Sequence, residues 1–168
     1  SNLRRQRQMC IRDSLQSEEI AWITGSDVNF CAQAFPTVGY DHPDAPILTV
    51  LGAVLRNGFL HSAIREKGGA YGSGAQQDSA SRSFRFFSYR DPNCMETFNA
   101  FNESIEWSLK SIDSEKLEEG ILGVISSIDK PGSPAGEARA DFNQNIRGID
   151  QSKRKIFRNR VINCSVER

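Results

Sequence analysis

The chain has 168 residues, of which 38% are hydrophobic, and its 21 basic and 21 acidic side chains give a formal net charge of zero. This length and hydrophobic content allow one domain with a packed core and exclude a chain that is disordered throughout. The balanced charge gives no reason to expect nucleic acid or an anionic membrane as a partner. No apolar run approaches the roughly 20 residues that span a bilayer, and the N-terminus lacks the apolar segment of a signal peptide.

The cysteines do not suggest a metal site or a disulfide framework. They are widely spaced, and none forms a C-x-x-C motif: Cys10, Cys31, Cys94 and Cys164. We therefore expect no structural metal and interpret the cysteines as buried free thiols in a reducing compartment.

The first half of the chain is predicted to contain a helix, a strand and a second helix. A polar, arginine-rich helix is expected over about residues 3–16. Residues 27–38 alternate with period two, with Val28, Phe30, Ala32 and Ala34 on one face and Asn29, Cys31 and Gln33 on the other. A helix capped by Asp44 follows, with Pro46 in its first turn; it restarts near Gly58 and ends before Gly68.

The second half is predicted to contain a hairpin followed by helices. The strands are expected at about 70–78 and 81–91, and in the second one Phe84 and Phe86 face away from Arg85, Phe87 and Tyr89. Helices follow at about 95–110, 114–129, 137–147 and 151–163, the first with a stripe of Phe98, Phe101, Ile105 and Leu109, the last capped by Asp150. The basic stretch 151–160 is interpreted as a solvated helix face. This order predicts an α+β domain in which helices cover one face of a mostly antiparallel sheet.

Nucleotide-binding motifs are incomplete. Gly69 and Gly74 have the spacing of a phosphate loop, but Ala75 and Gln76 stand where it requires Lys and Ser or Thr. A dinucleotide fingerprint starting at Gly72 fails because Gln77 occupies its last glycine position, and the segment runs from helix to strand rather than from strand to helix.

The sequence also lacks the motifs of known hydrolytic centres. The two histidines, His42 and His61, form neither H-E-x-x-H nor H-x-x-E-H, so no metal ligands are predicted in this chain. No G-x-S-x-G elbow is present to support a serine nucleophile.

One pair of polar residues remains, on either side of a glycine turn. Arg65 offers permanently charged planar donors and Tyr71 offers a hydroxyl on a rigid ring, and the glycines between them permit a sharp turn. Together they could hold a carbonyl oxygen or the oxyanion formed when water attacks it. On local grounds a simpler interpretation is favoured, in which Gly68 ends the helix and Arg65 interacts with its dipole.

The residues around this turn resemble a known family. The stretches IREKGGAYGSGA (64–75) and FRFFSYRDPN (84–93) resemble the C-terminal half of pitrilysin/insulinase zinc peptidases, particularly the presequence-protease branch. Residues 28–61 and 117–136 extend the resemblance, which covers about 27–160. It implies the metallohydrolase fold of the mitochondrial-processing-peptidase or LuxS-like type.

The resemblance also implies a divided active site. Members of the family are single chains whose two halves close around an unfolded peptide, with zinc held by an H-x-x-E-H motif in the N-terminal half. The arginine and tyrosine that reach the scissile bond from the other half fall on Arg65 and Tyr71, and the turn that binds substrate falls on Gly68, Gly69, Ala70 and Gly72. His61 stands where relatives often have an aromatic residue, and we assign it no role.

The resemblance therefore predicts that residues 1–168 form a single-domain fragment, incomplete at its C-terminus, of a larger two-half zinc endopeptidase. Its expected partners are unfolded peptides and the N-terminal zinc-binding half of the same polypeptide, without nucleic acid or membrane. Zinc is expected in the full-length enzyme with ligands outside this chain, which alone is expected to be inactive.

An inactive structural or peptide-binding member of the fold is the alternative. The expected compartment is the bacterial cytoplasm, with a mitochondrial or plastid matrix as the alternative.

Overall fold

The computed structural model describes residues 18–166, so the helix predicted over 3–16 and Cys10 lie outside the described residues. Within that range the chain forms an antiparallel sheet in the order β1-β3-β2. The strands are β1 (Asn29–Pro36), β2 (Gly72–Asp78) and β3 (Ser83–Asp91). The helices are α1 (Asp44–Leu55), π1 (Arg56–Lys67), α2 (Met95–Ser111), α3 (Ser114–Ile128), α4 (Pro134–Ile146) and α5 (Gln151–Ile162). The predicted α+β fold class is confirmed.

The two faces of the sheet have different environments. Phe84 and Phe86 are buried in the core beneath the helices, while Arg85 and Tyr89 are exposed on the other face. The predicted division of β3 into two faces is therefore confirmed. In β1 the face that carries Asn29, Cys31 and Gln33 lies toward the core: Cys31 is buried, whereas Phe30 on the opposite face is 70% exposed.

The central helix runs without a break from Asp44 to Lys67. From Arg56 onward it has π-helical hydrogen bonding, so the expected restart near Gly58 is a change of helix type instead. The predicted N-cap role of Asp44 is wrong: Pro43 is the N-cap residue, and Asp44 already lies in the first turn. Pro43 has a φ of −58°, which suits entry into the helix. The N-cap therefore lies one residue before the predicted position at Asp44.

By length and composition alone the same helix could cross a membrane, since a stretch of 18 residues within it has a mean hydropathy of 1.4. The core helix of a globular domain can have the same length and composition. Here Val50, Val54, Leu55 and Leu60 are buried in the core clusters beneath the sheet and the neighbouring helices.

Helix α2 buries the first half of the predicted stripe but not the second: Phe101 lies in the core and Phe98 packs partly buried against it. Thr97, Phe101 and Ser104 are buried, whereas Leu109 is 82% exposed and Ile105 is 39% exposed. An α-helix has 3.6 residues per turn, so residues spaced four apart shift gradually around it. The later positions of the predicted stripe, Ile105 and Leu109, therefore turn away from the core.

The last helices confirm several local predictions. Asp150 caps α5 by accepting a hydrogen bond from the Lys153 backbone N–H at 2.8 Å. The basic stretch that follows is a solvated face whose cations pair with acids on other elements: Lys153 with Asp41, Arg154 with Asp141 and Arg158 with Asp129.

Two further predictions need correction. Helix α4 begins at Pro134 rather than near residue 137, because Ser133 caps it and proline suits its first turn. Of the thiols within 18–166, Cys31 is buried and Cys164 partly buried, but Cys94 is exposed. The interpretation of the cysteines as buried thiols is therefore wrong for Cys94.

Candidate functional site

The glycine turn joins the C-terminus of π1 to β2. The backbone N–H groups of Gly69 and Ala70 donate to the carbonyls of Arg65 and Ile64, at 3.0 and 3.1 Å. A Cβ on Gly68 would lie 2.6 Å from the Ile64 carbonyl oxygen, and Gly69 has a φ of +79°. Both positions therefore require glycine, one because a carbonyl approaches closely and the other because of its left-handed backbone.

Arg65 lies in the last turn of π1, where its side chain is exposed. Its Nη1 is 3.4 Å from His61 Nε2, and His61 Nδ1 is 3.5 Å from Glu66 Oε1. In an α-helix residue i+5 lies about 140° around the axis from residue i, whereas the i→i+5 bonding of a π-helix brings it to the same side. The helix type therefore allows His61 to lie beside both Arg65 and Glu66.

Tyr71 lies immediately before β2 and is 62% exposed. Its backbone N–H donates to the Arg90 carbonyl at 3.2 Å, and its ring centroid is 5.6 Å from that of Tyr89. The Arg90 guanidinium carbon is also 5.6 Å from the Tyr71 ring centroid, within cation–π range. Gly72 accommodates the Tyr89 ring, since a Cβ there would come within 2.4 Å of it.

A β-bulge aligns the end of β3 with the turn. The register of β1 on β3 passes from Phe30↔Tyr89 to Asn29↔Asp91, so Arg90 is the extra residue, with a φ of +49°. Bulges of this kind re-aim a strand next to functional sites. The chain then turns at Pro92, and the Asn93 side chain reaches the Gly68 carbonyl.

The arrangement therefore leaves two hydrogen-bond donors exposed on either side of a turn with fixed geometry. Arg65 is a planar cation and Tyr71 a phenol, and both donor types suit a carbonyl oxygen or a carboxylate. The sequence drew attention to both residues, but it did not indicate the contact between Asn93 and Gly68. The only signal was the motif RDPN, which has no local structural reason to reach back 25 residues.

The described part of the chain, residues 18–166, contains no cluster of three or more His, Cys, Asp or Glu side chains that could hold a metal ion. His42 lies beside Asp44 and His61 beside Glu66, each with one carboxylate. These residues do not fit a catalytic zinc centre, which needs three protein ligands.

A family model described as the PreP C-terminal domain matches residues 23–168. The chain belongs to the PreP C-terminal domain family. Mitochondrial presequence proteases from Drosophila melanogaster and Danio rerio are 38% and 36% identical to it, over 149 and 136 residues. These alignments cover 87% and 80% of this chain but only 14% and 13% of the relatives. This PreP C-terminal domain thus spans a small part of the curated proteins that it matches.

Solved structures share the fold of this PreP C-terminal domain. The inactive peptidase domain of a protein described as a candidate zinc protease from Bordetella parapertussis has a TM-score of 0.69, with 16% identity. The match covers 82% of this chain and 80% of that one. Pitrilysin has a TM-score of 0.61, with 19% identity over 82% of this chain and 16% of its own.

Proposed function

We propose that this chain is the substrate-binding C-terminal domain of a zinc metalloendopeptidase that degrades unstructured peptides. The observation that carries the proposal is the glycine turn, which holds Arg65 and Tyr71 exposed on either side in a chain 38% identical to a presequence protease. Residues 1–168 act as one domain of a larger polypeptide, and the N-terminal half of that polypeptide supplies the zinc ligands.

In this proposal Arg65 and Tyr71 bind the carbonyl oxygen of the peptide bond that is cleaved. The guanidinium keeps its charge at neutral pH, and the tyrosine ring presents its hydroxyl with few rotatable bonds. Both donors stabilise the negative charge that develops on that oxygen, provided that they are already in place when it forms. The backbone at Gly68, Gly69, Ala70 and Gly72 lies against the peptide, and the absence of a side chain at the exposed Gly69 allows close approach.

The two parts of the active site come together when the halves of the enzyme close around the peptide. The domain by itself then binds no catalytic zinc and cleaves no peptide. We further propose a mitochondrial location for the full-length protein, since the relatives from fly and zebrafish are described as mitochondrial. They favour this alternative over a bacterial cytoplasm.

Substitution in the full-length protein tests these roles. We expect Arg65→Ala or Tyr71→Phe to lower kcat by about 10²–10³, the usual effect of removing one oxyanion donor. Steady-state cleavage of a short fluorogenic peptide measures this. Arg147→Ala and Tyr40→Phe are matched controls at positions away from the turn and are expected to retain wild-type rates.

Wild-type kcat/KM in both Arg65→Ala and Tyr71→Phe would show that these side chains have no catalytic role. If the wild-type full-length protein cleaves no peptide, the domain belongs instead to an inactive structural or peptide-binding member of the fold.

A further inference from the structure

The segment Arg90–Asn93 is fixed from two sides. The Asp91 carboxylate is fully buried and accepts hydrogen bonds from the Asn93 backbone N–H at 2.9 Å and from the Thr97 hydroxyl at 2.8 Å. From β1, the Asn29 side chain donates to the carbonyls of Asp91 and Asn93, at 3.2 and 3.3 Å. Because buried polar groups are costly to leave unpaired, these bonds hold the segment in one conformation.

The Asn93 side chain connects this fixed segment to the glycine turn. Its Nδ2 donates to the Gly68 carbonyl oxygen at 2.7 Å, a short bond across 25 residues of sequence. The carbonyls of the last helical turn lack partners within their own helix. Asn93 therefore supplies a partner for a group that the end of π1 leaves open.

That carbonyl belongs to the peptide bond between two glycines, Gly68 and Gly69. Glycine adopts positive and negative φ almost equally well, so this peptide plane has little intrinsic preference between two opposite orientations. The observed orientation gives Gly69 a φ of +79°, directs the Gly68 carbonyl toward Asn93, and lets the Gly69 N–H donate to the Arg65 carbonyl at 3.0 Å. Pro92 lies 3.6 Å from the position where a Gly69 Cβ would be, so the same segment also packs against the turn.

We propose that Asn93 is a positioning residue for the Arg65–Tyr71 pair: by holding the Gly68 carbonyl, it stabilises, together with the hydrogen bond from the Gly69 N–H to the Arg65 carbonyl, the orientation of the Gly68–Gly69 peptide that places both side chains for catalysis. This inference rests on the proposed function of that pair. Asn93 touches neither substrate nor reacting atoms and acts through the turn.

Asn93→Asp in the full-length protein is the sharpest test, because the carboxylate has the same shape but cannot donate to the Gly68 carbonyl. We expect kcat to fall about tenfold, the loss that corresponds to one hydrogen bond, and Tm to fall as well, because the Gly68 carbonyl loses its donor and faces a carboxylate. Asn163→Asp is the matched control: its side-chain amide also donates to a backbone carbonyl at 2.7 Å, that of Asn159, at the end of α5 and away from the glycine turn. It is expected to retain wild-type kcat.

A double-mutant cycle with Tyr71→Phe separates positioning from a general loss of structure. If Asn93 acts through the pair, Asn93→Asp costs less when Tyr71 has already lost its hydroxyl. Amide hydrogen exchange of the full-length variant provides a readout independent of activity, and we expect faster exchange at Ala70 and Tyr71. Should Asn93→Asp fail to fold, Asn93→Gln, which keeps the donor but displaces it by one methylene, is expected to give the same non-additive loss of kcat.

The results distinguish the positioning role of Asn93 from the proposed function of Arg65 and Tyr71. If Arg65→Ala and Tyr71→Phe lose activity while Asn93→Asp keeps wild-type kcat, the positioning role is wrong and the proposed function stands. Full additivity with Tyr71→Phe, or an equal loss of kcat in Asn163→Asp, would also overturn the positioning role. If Arg65→Ala and Tyr71→Phe are both fully active, the proposed function fails, and the positioning role fails with it.

Discussion

Gly69 shows how a single residue sets the path of the chain at the site. Its φ of +79° reverses the direction of the backbone between the end of π1 and the start of β2. A residue with a Cβ is strained there, while glycine is not. This conformation sets the path of the chain from Arg65, in the last turn of π1, to Tyr71, just before β2.

We predict that Gly69→Ala lowers the free energy of unfolding by about 1 kcal/mol, because alanine is disfavoured at positive φ. Urea denaturation measures the change. Gly123→Ala is the control, since Gly123 lies within α3 and a Cβ there would meet nothing within 4 Å. It should raise the free energy of unfolding by about 0.5–1 kcal/mol, as alanine is the better helix former. A Gly69→Ala variant as stable as wild type would contradict the turn conformation.

At the scale of elements, an ion pair connects the end of α3 to α5. Arg158 donates through Nε and Nη2 to both carboxylate oxygens of Asp129, at 2.9 and 2.5 Å. These hydrogen bonds lower the pKa of Asp129 below its usual value of 3.8 and raise the pKa of Arg158. A lowered folded-state pKa means that the pair contributes stability at neutral pH and that this contribution disappears as the carboxylate is protonated.

We predict that Asp129→Asn lowers Tm at pH 7 and that the difference from wild type shrinks as the pH falls below about 4. The sign follows because the wild-type carboxylate loses its charge there, while asparagine has none to lose. Thermal unfolding followed by circular dichroism from pH 7 to pH 2.5 measures the effect. Glu118→Gln, at an exposed position on the same helix, is expected to show no such convergence. A constant difference across the whole range would argue against the ion pair.

At the scale of the whole molecule, the proposed chemistry is divided between this chain and another part of a longer polypeptide. The relatives are about seven times longer than the aligned region, since the Drosophila alignment covers 14% of that protein. The metal-ligating residues that the proposed reaction requires are not clustered anywhere in residues 18–166.

We predict that the purified 168-residue chain binds no stoichiometric zinc and cleaves no peptide, because a catalytic zinc site requires three converging protein ligands. Zinc content after extensive dialysis, measured by mass spectrometry, and cleavage of a fluorogenic peptide check the two parts. The full-length protein prepared in the same way serves as the positive control. One tightly bound zinc per 168-residue chain would contradict the proposal that the zinc ligands lie in another part of the polypeptide.

The amino-acid sequence by itself determined those features that depend on neighbours along the chain. The alternation in β3 predicted its two faces, Asp150 marked a helix start, and the glycines marked the turn between Arg65 and Tyr71. Each signal is local, because period, capping and turn formation involve residues only a few positions apart.

Only the tertiary structure decided which groups meet across the fold. It placed the Cys31 face of β1, rather than the Phe30 face, under the helices, and it left the end of α2 at Leu109 exposed. It also brought the Asn93 side chain to the Gly68 carbonyl. The physical reason is that burial and long-range hydrogen bonds depend on the surfaces that other elements present, and no pattern of near neighbours specifies them.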